Sequence, residues 1–348
     1  MPEPGRDTVA LAVVESSQAG EARRLTLALA KSVGFDGVGQ GKVALVVTEL
    51  ANNLVRHAVG GELVVGVIRS GSRVGLEILA IDRGPGVPDF RRCLVDGYST
   101  GGTPGTGLGA VVRLCDAFDA HSVPREGTVL AARLLIPLRE PLDHRPSAHL
   151  GLDLGAVCLP LAGETACGDA WAAEEAAPGV HSLIVADGLG HGPKAAEASN
   201  AAVATFRRDP SSSPSEHLAA IHPALKGTRG AAVAVATVDA NRREIRFAGV
   251  GNIAGTVFDA AGSHRGLVSH NGTVGANLHK IQEFTLPWPE GALLILHSDG
   301  LGTSWRLDNQ LALKAKLPGV IAGTLYRDFS RRRDDVTVVV ARDEGSTG

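Results

Sequence analysis

No CxxC pair, no long basic stripe and no apolar run of membrane-spanning length occurs in the 348-residue sequence, and each absence closes off a class of protein. The four cysteines, Cys93, Cys115, Cys158 and Cys167, are not spaced with histidines as metal ligands, so isolated thiols in a reducing cytosol are expected rather than disulfide staples. Charge is nearly balanced, with 34 basic and 37 acidic residues and a net charge of -3, which disfavours nucleic acid as a partner. The opening "MPEPGRDTVALAVVESS" sets an acid and two prolines before a short apolar run, unlike a secretory signal. A cytoplasmic protein with no membrane partner is therefore expected. There is also no internal repeat at a solenoid period. What is present is 44% hydrophobic content in a chain longer than one ordinary domain needs, and two domains follow as the expectation.

The segment "LREPLDHRPSAHLG" (138–151) interrupts two well-patterned regions, and its prolines forbid a continuous helix. It divides the chain into a domain over 1–137, a linker over 138–151 and a second domain over 152–348. In the first, the pattern predicts strands over 8–14, 62–69, 73–81 and 128–136. Helices are predicted over 18–33, ended by Gly34, over 42–58 and near 108–118. This is an α+β layered sandwich. The second half is strand-rich and antiparallel in character, with strands in "LDLGAVCL", "HSLIVA", "GAAVAVATVD", "REIRFAGV", "AGTVFD", "HRGLVS", "GALLILHS" and "DVTVVVAR". Helices are predicted near 193–207, 215–225 and 319–330, with "SSSPS" as a loop before the second of them.

On the helix "KVALVVTELANNLVRHA", Val43, Val46, Val47, Leu50, Leu54 and Ala58 recur at three- and four-residue steps and form a buried stripe. Glu49, Asn53 and His57 stack along another side, where a carboxylate can activate a nucleophile and an amide oxygen can meet a cation. A solvated helix face has the same spacing. The sequel separates the two readings. "DRGPGVPD" ends the strand "VGLEILAI" with Asp82, and Gly84 and Gly86 follow, which permit close approach of a ligand to the backbone. The Asp82 carboxylate can accept from the exocyclic amine of adenine. "STGGTPGTGLGAV" then leads glycines into a helix, and free N–H groups at a helix start cradle phosphate.

These three elements, in this order, resemble the GHKL superfamily of ATPases and kinases: "ELANNLVRHA" its N box, "DRGPG" its DxGxG box and "GTGLG" its second glycine box. Within it, "DRGPGVPDFRRCLVDGYSTGGTPGTGLGAVVRLCDAF" resembles the small switch-protein serine kinases of RsbT type. The resemblance implies a GHKL α/β sandwich that binds ATP and Mg²⁺, with Glu49 as general base, Asn53 as Mg²⁺ ligand and Asp82 on adenine. It further implies ATP contacts at Gly84, Gly86, Gly105, Thr106, Gly107, Leu108 and Gly109, with residues 99–107 as a lid over the triphosphate. Catalysis would then be mostly positioning and charge neutralisation. No phospho-accepting histidine box precedes the domain, against a sensor histidine kinase, and His57 is expected at the pocket rim or in a structural role.

In the second half Asp169 ("ACGDAW"), Asp187 ("IVADGLGHG"), Asp299 ("LHSDG") and Asp334 ("RRRDDVTVVV") each stand where a strand begins or ends. An Asp-Gly turn or strand-end cap explains any one of them. Four together, without cations, would raise one another's pKa at a cost in stability, and hard divalent ions remove that cost. The blocks "CGD", "ADGLGHG", "GVGNI", "SDG" and "DDVTVVV", in order, resemble type 2C metal-dependent protein phosphatases of the SpoIIE and RsbX branch. The resemblance implies an αββα sandwich holding two Mg²⁺ or Mn²⁺ ions. Asp187 would bridge them, the Gly188 carbonyl would assist, Asp299 and Asp334 would complete the second ion and Asp169 would act through water. Asp335 stands where many relatives carry Asn. His191 and Asn252 are expected to shape loops, Arg331 to Arg333 to be a solvated run, and no arginine is identifiable as the substrate-phosphate clamp.

Together the two resemblances imply a bifunctional serine/threonine kinase and phosphatase of a bacterial partner-switching, stressosome-like pathway. Its expected partners are STAS-domain regulators of stressosome or anti-sigma-antagonist type, with a downstream phosphatase or sigma-factor regulator beyond them. Two other classes fit the same residues: an enzyme with one activity and one sensing domain, and an anti-sigma protein that binds a sigma factor directly. The "DGYSTGG" stretch favours the switch-kinase branch over the last.

Overall fold

The computed structural model describes residues 8–94, 107–138, 151–307 and 310–343. By contacts the chain sorts into two compact units, residues 1–141 with 312–327, and 142–311 with 328–348. The first unit begins with β1 (Thr8–Ala12), α1 (Ser16–Val33), α2 (Gly37–His57), β2 (Glu62–Ser70) and β3 (Arg73–Asp82). After a 3₁₀ turn at Phe90–Leu94 come α3 (Gly107–Leu114), β4 (Ala117–Val123) and β5 (Gly127–Pro137). Local chemistry sets the helix ends. The Gln18 side chain accepts from the backbone of Val14 and Glu15 at the start of α1, and Gly34, at φ 107°, takes the left-handed turn that ends it. Asp36 caps α2 by accepting from the Gly39 amide at 2.7 Å.

The strands form one antiparallel sheet in the order β1-β2-β3-β5-β4. Val74, Leu76, Ile78 and Ala80 of β3 face the helices and share a core with Val43, Val46, Val47, Leu50 and Leu54 of α2. Because side chains alternate along a strand, Glu77, Leu79 and Ile81 face the other way, and they too are buried. The predicted helix over 108–118 stops at Leu114, and β4, which the sequence reading lacks, begins three residues on. Pairing with β5 decides the conformation of a stretch whose own pattern is ambiguous.

The second unit contains β6 (Leu152–Leu159), β7 (Asp169–Ala177), β8 (Val180–Gly188), α4 (Pro193–Phe206), α5 (Pro214–Ala224), β9 (Ala231–Asp239) and β10 (Glu244–Val250). It continues with β11 (Ala254–Phe258), β12 (His264–Leu267), β13 (Phe284–Pro287) and β14 (Leu293–His297). After α6 (Leu311–Lys314) and α7 (Pro318–Phe329) the chain ends its described course in β15 (Val336–Asp343). Two antiparallel sheets result, β13-β10-β9-β8-β7 and β12-β11-β14-β15-β6. Trp171, Leu183, Val185, Phe247, Leu294, Leu296 and Val339 fill the space between them. Phe206, Leu218 and Ile221 of α4 and α5 cover Ile184, Val233 and Val235 on the outer face of the first sheet. The fold class is thus the mixed α and β architecture expected for both halves. β7 and β13 are absent from the sequence reading; "DAWAAEEAA" in particular is rich in helix formers, and its pairing with β8 overrides that preference.

Residues 312–327 belong to the first unit. Lys316 Nζ lies 2.9 Å from Asp119 of β4, the Leu317 amide donates to the same carboxylate at 2.8 Å, and Tyr326 donates to Glu62 of β2 at 3.0 Å. The helix therefore lies across the sheet face that carries Glu77, Leu79 and Ile81. All residues from Pro318 to Arg327 are buried.

Candidate functional sites

In the first unit, α2 carries Glu49, Asn53 and His57 on successive turns, and α3 begins against it. A Cβ at Gly107 would come within 2.5 Å of Glu49 Oε2, so the start of α3 lies directly against this carboxylate. The Asn53 Nδ2 atom is buried and has no hydrogen-bond partner among the described residues. A buried orphan amide costs on the order of 1–3 kcal/mol unless something pairs with it, so a ligand at this point fits the residues present. Asp82 ends β3 beside the last turn of α2. Its Oδ1 accepts from the Gly84 amide at 2.6 Å. Burial pushes its pKa up, against the Gly84 bond, the Arg327 charge, the Thr128 backbone and His57.

Gly84 and Gly86 serve approach to the chain itself. A Cβ at Gly84 would meet the His57 carbonyl at 2.9 Å. Gly86, at φ 64°, passes so close to the Val123 carbonyl that a Cβ would stand 2.1 Å from it. Their part in the pocket is thus to hold the Asp82 turn against α2 and the β4–β5 connection, rather than to clear room for a ligand. Of the second glycine box, Gly107, Leu108 and Gly109 open α3, with Gly109 buried. Gly105, Thr106 and most of the proposed lid lie outside the described residues.

In the second unit, Asp169 at the start of β7 and Asp187 near the end of β8 are cross-strand partners. Asp299 follows β14 and Asp334 precedes β15, its neighbour in the other sheet. Both sheets thus deliver carboxylates to one end of the sandwich. Burial, then Asp169, Asp299, Asp334 and Asp335, push the Asp187 pKa up. Burial also raises Asp169, opposed by hydrogen bonds from Ser298 and Thr337 and reinforced by Asp335 and Asp334. Among the described residues no three His, Cys, Asp or Glu side chains stand close enough to cage an ion by themselves. Several carboxylates gathered around raised Asp169 and Asp187, without a closed cage, fit hard cations that keep several waters.

Several partners of this cluster were not legible beforehand. Ser298 donates to Asp169 Oδ2 at 2.7 Å and accepts from the Thr337 amide at 2.9 Å, tying β14 and β15 to β7. The only signal for it is its place before Asp299 in "HSDG". Asn252 donates to Asp299 Oδ2 at 2.6 Å, so it orients a site carboxylate as well as shaping its loop. Asp335 accepts from the Leu161 and Gly168 amides at 2.8 and 2.9 Å, which commits both its oxygens to holding the β6–β7 connection. His191 meets Glu164 at 2.6 Å. A Cβ at Gly188 would stand 2.1 Å from the Ala195 carbonyl, so α4 is seated directly on the Asp187 loop. Arg229 donates to the Leu189 carbonyl at 3.4 Å, beside Asp187 and Gly188.

Comparison with known proteins matches the two parts of the sequence to different families. Residues 12–134 match the histidine kinase-like ATPase domain, and residues 178–343 match the stage II sporulation protein E (SpoIIE) family. The serine/threonine-protein kinase RsbT of Bacillus subtilis (strain 168) is 40% identical over 111 residues, covering 32% of this chain and 84% of that protein. The phosphoserine phosphatase RsbX of the same organism is 25% identical over 159 residues, 45% of this chain and 78% of that protein. A solved structure described as "The bacterial stressosome: a modular system that has been adapted to control secondary messenger signaling" aligns over 55% of this chain and all of its own length, at 32% identity and a TM-score of 0.51.

Proposed function

From the premise that the chain belongs to the RsbT family of serine/threonine-protein kinases and joins to that domain a SpoIIE-type phosphatase domain, we propose that it both adds and removes phosphate on regulatory proteins of a partner-switching pathway. The kinase activity belongs to residues 1–137 and the phosphatase activity to 152–348, with STAS-domain proteins as partners. The observation that carries this reading is the pairing of two different wells in one chain: an orphan amide one helical turn from a carboxylate in the first unit, and in the second a cluster of aspartates in which burial and neighbouring carboxylates raise Asp169 and Asp187.

In the first well, Glu49 takes the proton of the acceptor hydroxyl as the γ-phosphoryl group leaves ATP. Asn53, whose amide can turn its oxygen toward a cation, holds Mg²⁺, and Asp82 accepts from the adenine amine. Gly107, Leu108 and Gly109 bring the start of α3 to the phosphates, together with Gly105 and Thr106. In the second well, Asp187, Asp299 and Asp334 hold divalent ions with the Gly188 carbonyl, and Asp169 orients water. Bound Mg²⁺ or Mn²⁺ supplies neutralising charge and an activated water for in-line attack on phosphorus. Ser298 and Asn252 fix the directions of Asp169 and Asp299, and Arg229 meets the substrate phosphate beside the Asp187 loop.

Incubating the chain with labelled ATP and candidate STAS partners tests the whole reading. Label should enter the partner with Mg²⁺ and leave it when ATP is removed and Mn²⁺ added. Glu49→Gln should slow entry at least a hundredfold while ATP binds within about threefold of the unaltered affinity. Unchanged transfer by Glu49→Gln would remove Glu49 as the base, and no label in any STAS partner would remove the partner assignment.

A further inference from the structure

Two of the four cysteines, expected from the sequence to be isolated, meet in the second unit. Cys158, next to last in β6, is buried in the core between the sheets, and Cys167, two residues before Asp169, packs against that core from a part-exposed position. Their sulfurs are 3.8 Å apart. Cys158 Sγ also lies 3.7 Å from the Asp169 carbonyl and accepts from the Thr337 hydroxyl at 3.2 Å, and Thr337 serves the Asp169 carboxylate as well. Between Cys167 and Asp169 stands Gly168, whose amide donates to Asp335 at 2.9 Å. A Cβ at Gly168 would come within 2.5 Å of Asp335 Oδ2 and 2.8 Å of Ala195 Cβ, so the chain is enclosed there and has little room to move alone.

We propose that Cys158 and Cys167 are a modification site, closed to a disulfide by oxidants of the peroxide class and reopened by thiol reductants. Closure brings the sulfurs from 3.8 Å to the about 2 Å of a disulfide bond, across the β6–β7 connection. Part-exposed Cys167 meets the oxidant first: its sulfur takes one peroxide oxygen to become a sulfenic acid, and water leaves. The Cys158 sulfur then attacks that sulfur; the S–S bond forms as the S–O bond breaks, and the hydroxyl leaves as water with the Cys158 proton. Two thiols and one hydrogen peroxide thus give one disulfide and two waters, the thiols losing the two electrons that the peroxide gains. The hydrogen bond with Cys158, then burial, then the Cys158, Asp169 and Asp335 charges hold the Cys167 thiol above its ordinary pKa. Thiolate is therefore scarce, and closure answers sustained rather than brief exposure. Resting here on the phosphatase reading of the second unit, the movement of Cys167 passes through enclosed Gly168 to Asp169, draws that carboxylate off its Ser298 and Thr337 partners, and lowers dephosphorylation.

The test treats the full chain with hydrogen peroxide, removes the excess, and cleaves after Glu164, the one acid between the two cysteines. Mass spectrometry should find the Cys158 and Cys167 peptides joined, and dithiothreitol should part them. Phosphate release from p-nitrophenyl phosphate with Mn²⁺ is followed on the same samples. It should fall about fivefold or more on oxidation and recover on reduction. Cys167→Ser and Cys158→Ala, each shown to be folded by its melting transition, should yield no joined peptides and keep their activity through peroxide. Two free thiols after prolonged peroxide, or oxidation of Cys167 onward to sulfinic acid with no joined peptides, would overturn the site. Joined peptides with unchanged activity, or an equal loss in both variants, would overturn its effect on Asp169. If the untreated chain releases no phosphate, the phosphatase reading fails, and the joined peptides alone decide the site.

Discussion

Asp187 is held among four other aspartates whose charges, added to burial, keep its pKa above the ordinary value. An acid raised in the folded state favours folding at low pH, and that contribution is lost as pH rises from the unfolded value through the folded one. Stripped of divalent ions by a chelator, the second unit should therefore melt at progressively lower temperature between pH 5 and pH 8. Asp187→Asn should melt higher than the unaltered chain at pH 8 in chelator, lose most of that pH dependence, gain far less from Mn²⁺, and dephosphorylate nothing measurable. Differential scanning calorimetry with paired phosphatase assays checks all four, and a variant that melts lower in chelator would contradict the repulsion argument. That Asp187 and its companions come together was legible because acids at strand ends stand in four of five ordered blocks. Ser298, Asn252 and Glu164 were not, since a serine, an amide or a glutamate in a loop has many uses and acquires this one only from the partner it meets.

Elements whose own chemistry agrees with their surroundings were the ones readable in advance. α2 combines an apolar stripe with a cap, and β6 turns Leu152, Leu154, Ala156 and Cys158 toward the core between the sheets. Asp36 caps the start of α2 with its side chain, so Asp36→Ala should cost about 1 kcal/mol of first-unit stability, read from denaturant midpoints. A change within error of zero would mean that the Glu49 and Asn53 helix is held by packing alone. β4 and β7 escaped because partner strands impose their conformation on alanine-, aspartate- and glutamate-rich stretches. α7 was readable as a helix, whereas its place was not. Glycines at 319 and 323 look like helix weakeners until the sheet that they approach is known.

At the scale of the molecule, the two resemblances meet a division that the linear order does not announce, since the first unit takes its last helix from beyond the second unit's strands. A chain ending at Pro137 would lack the segment that lies over Leu79, Ile81 and Val129. Such a fragment should self-associate at micromolar concentration where the full chain does not, as seen by light scattering. A monodisperse fragment with unchanged ATP affinity would show that the helix is dispensable. No helix among the described residues is long and apolar enough to cross a membrane.

The discontinuity also sets a clock during synthesis. A ribosome that has finished β5 has made every strand of the first sheet, yet the segment that shelters its back emerges nearly two hundred residues later. Through that interval the nascent sheet presents bare Leu79, Ile81 and Val129 to chaperones and proteases. A message truncated before α7 would therefore yield a first unit whose sheet lacks its covering helix, so that unit is complete only after most of the second has been made.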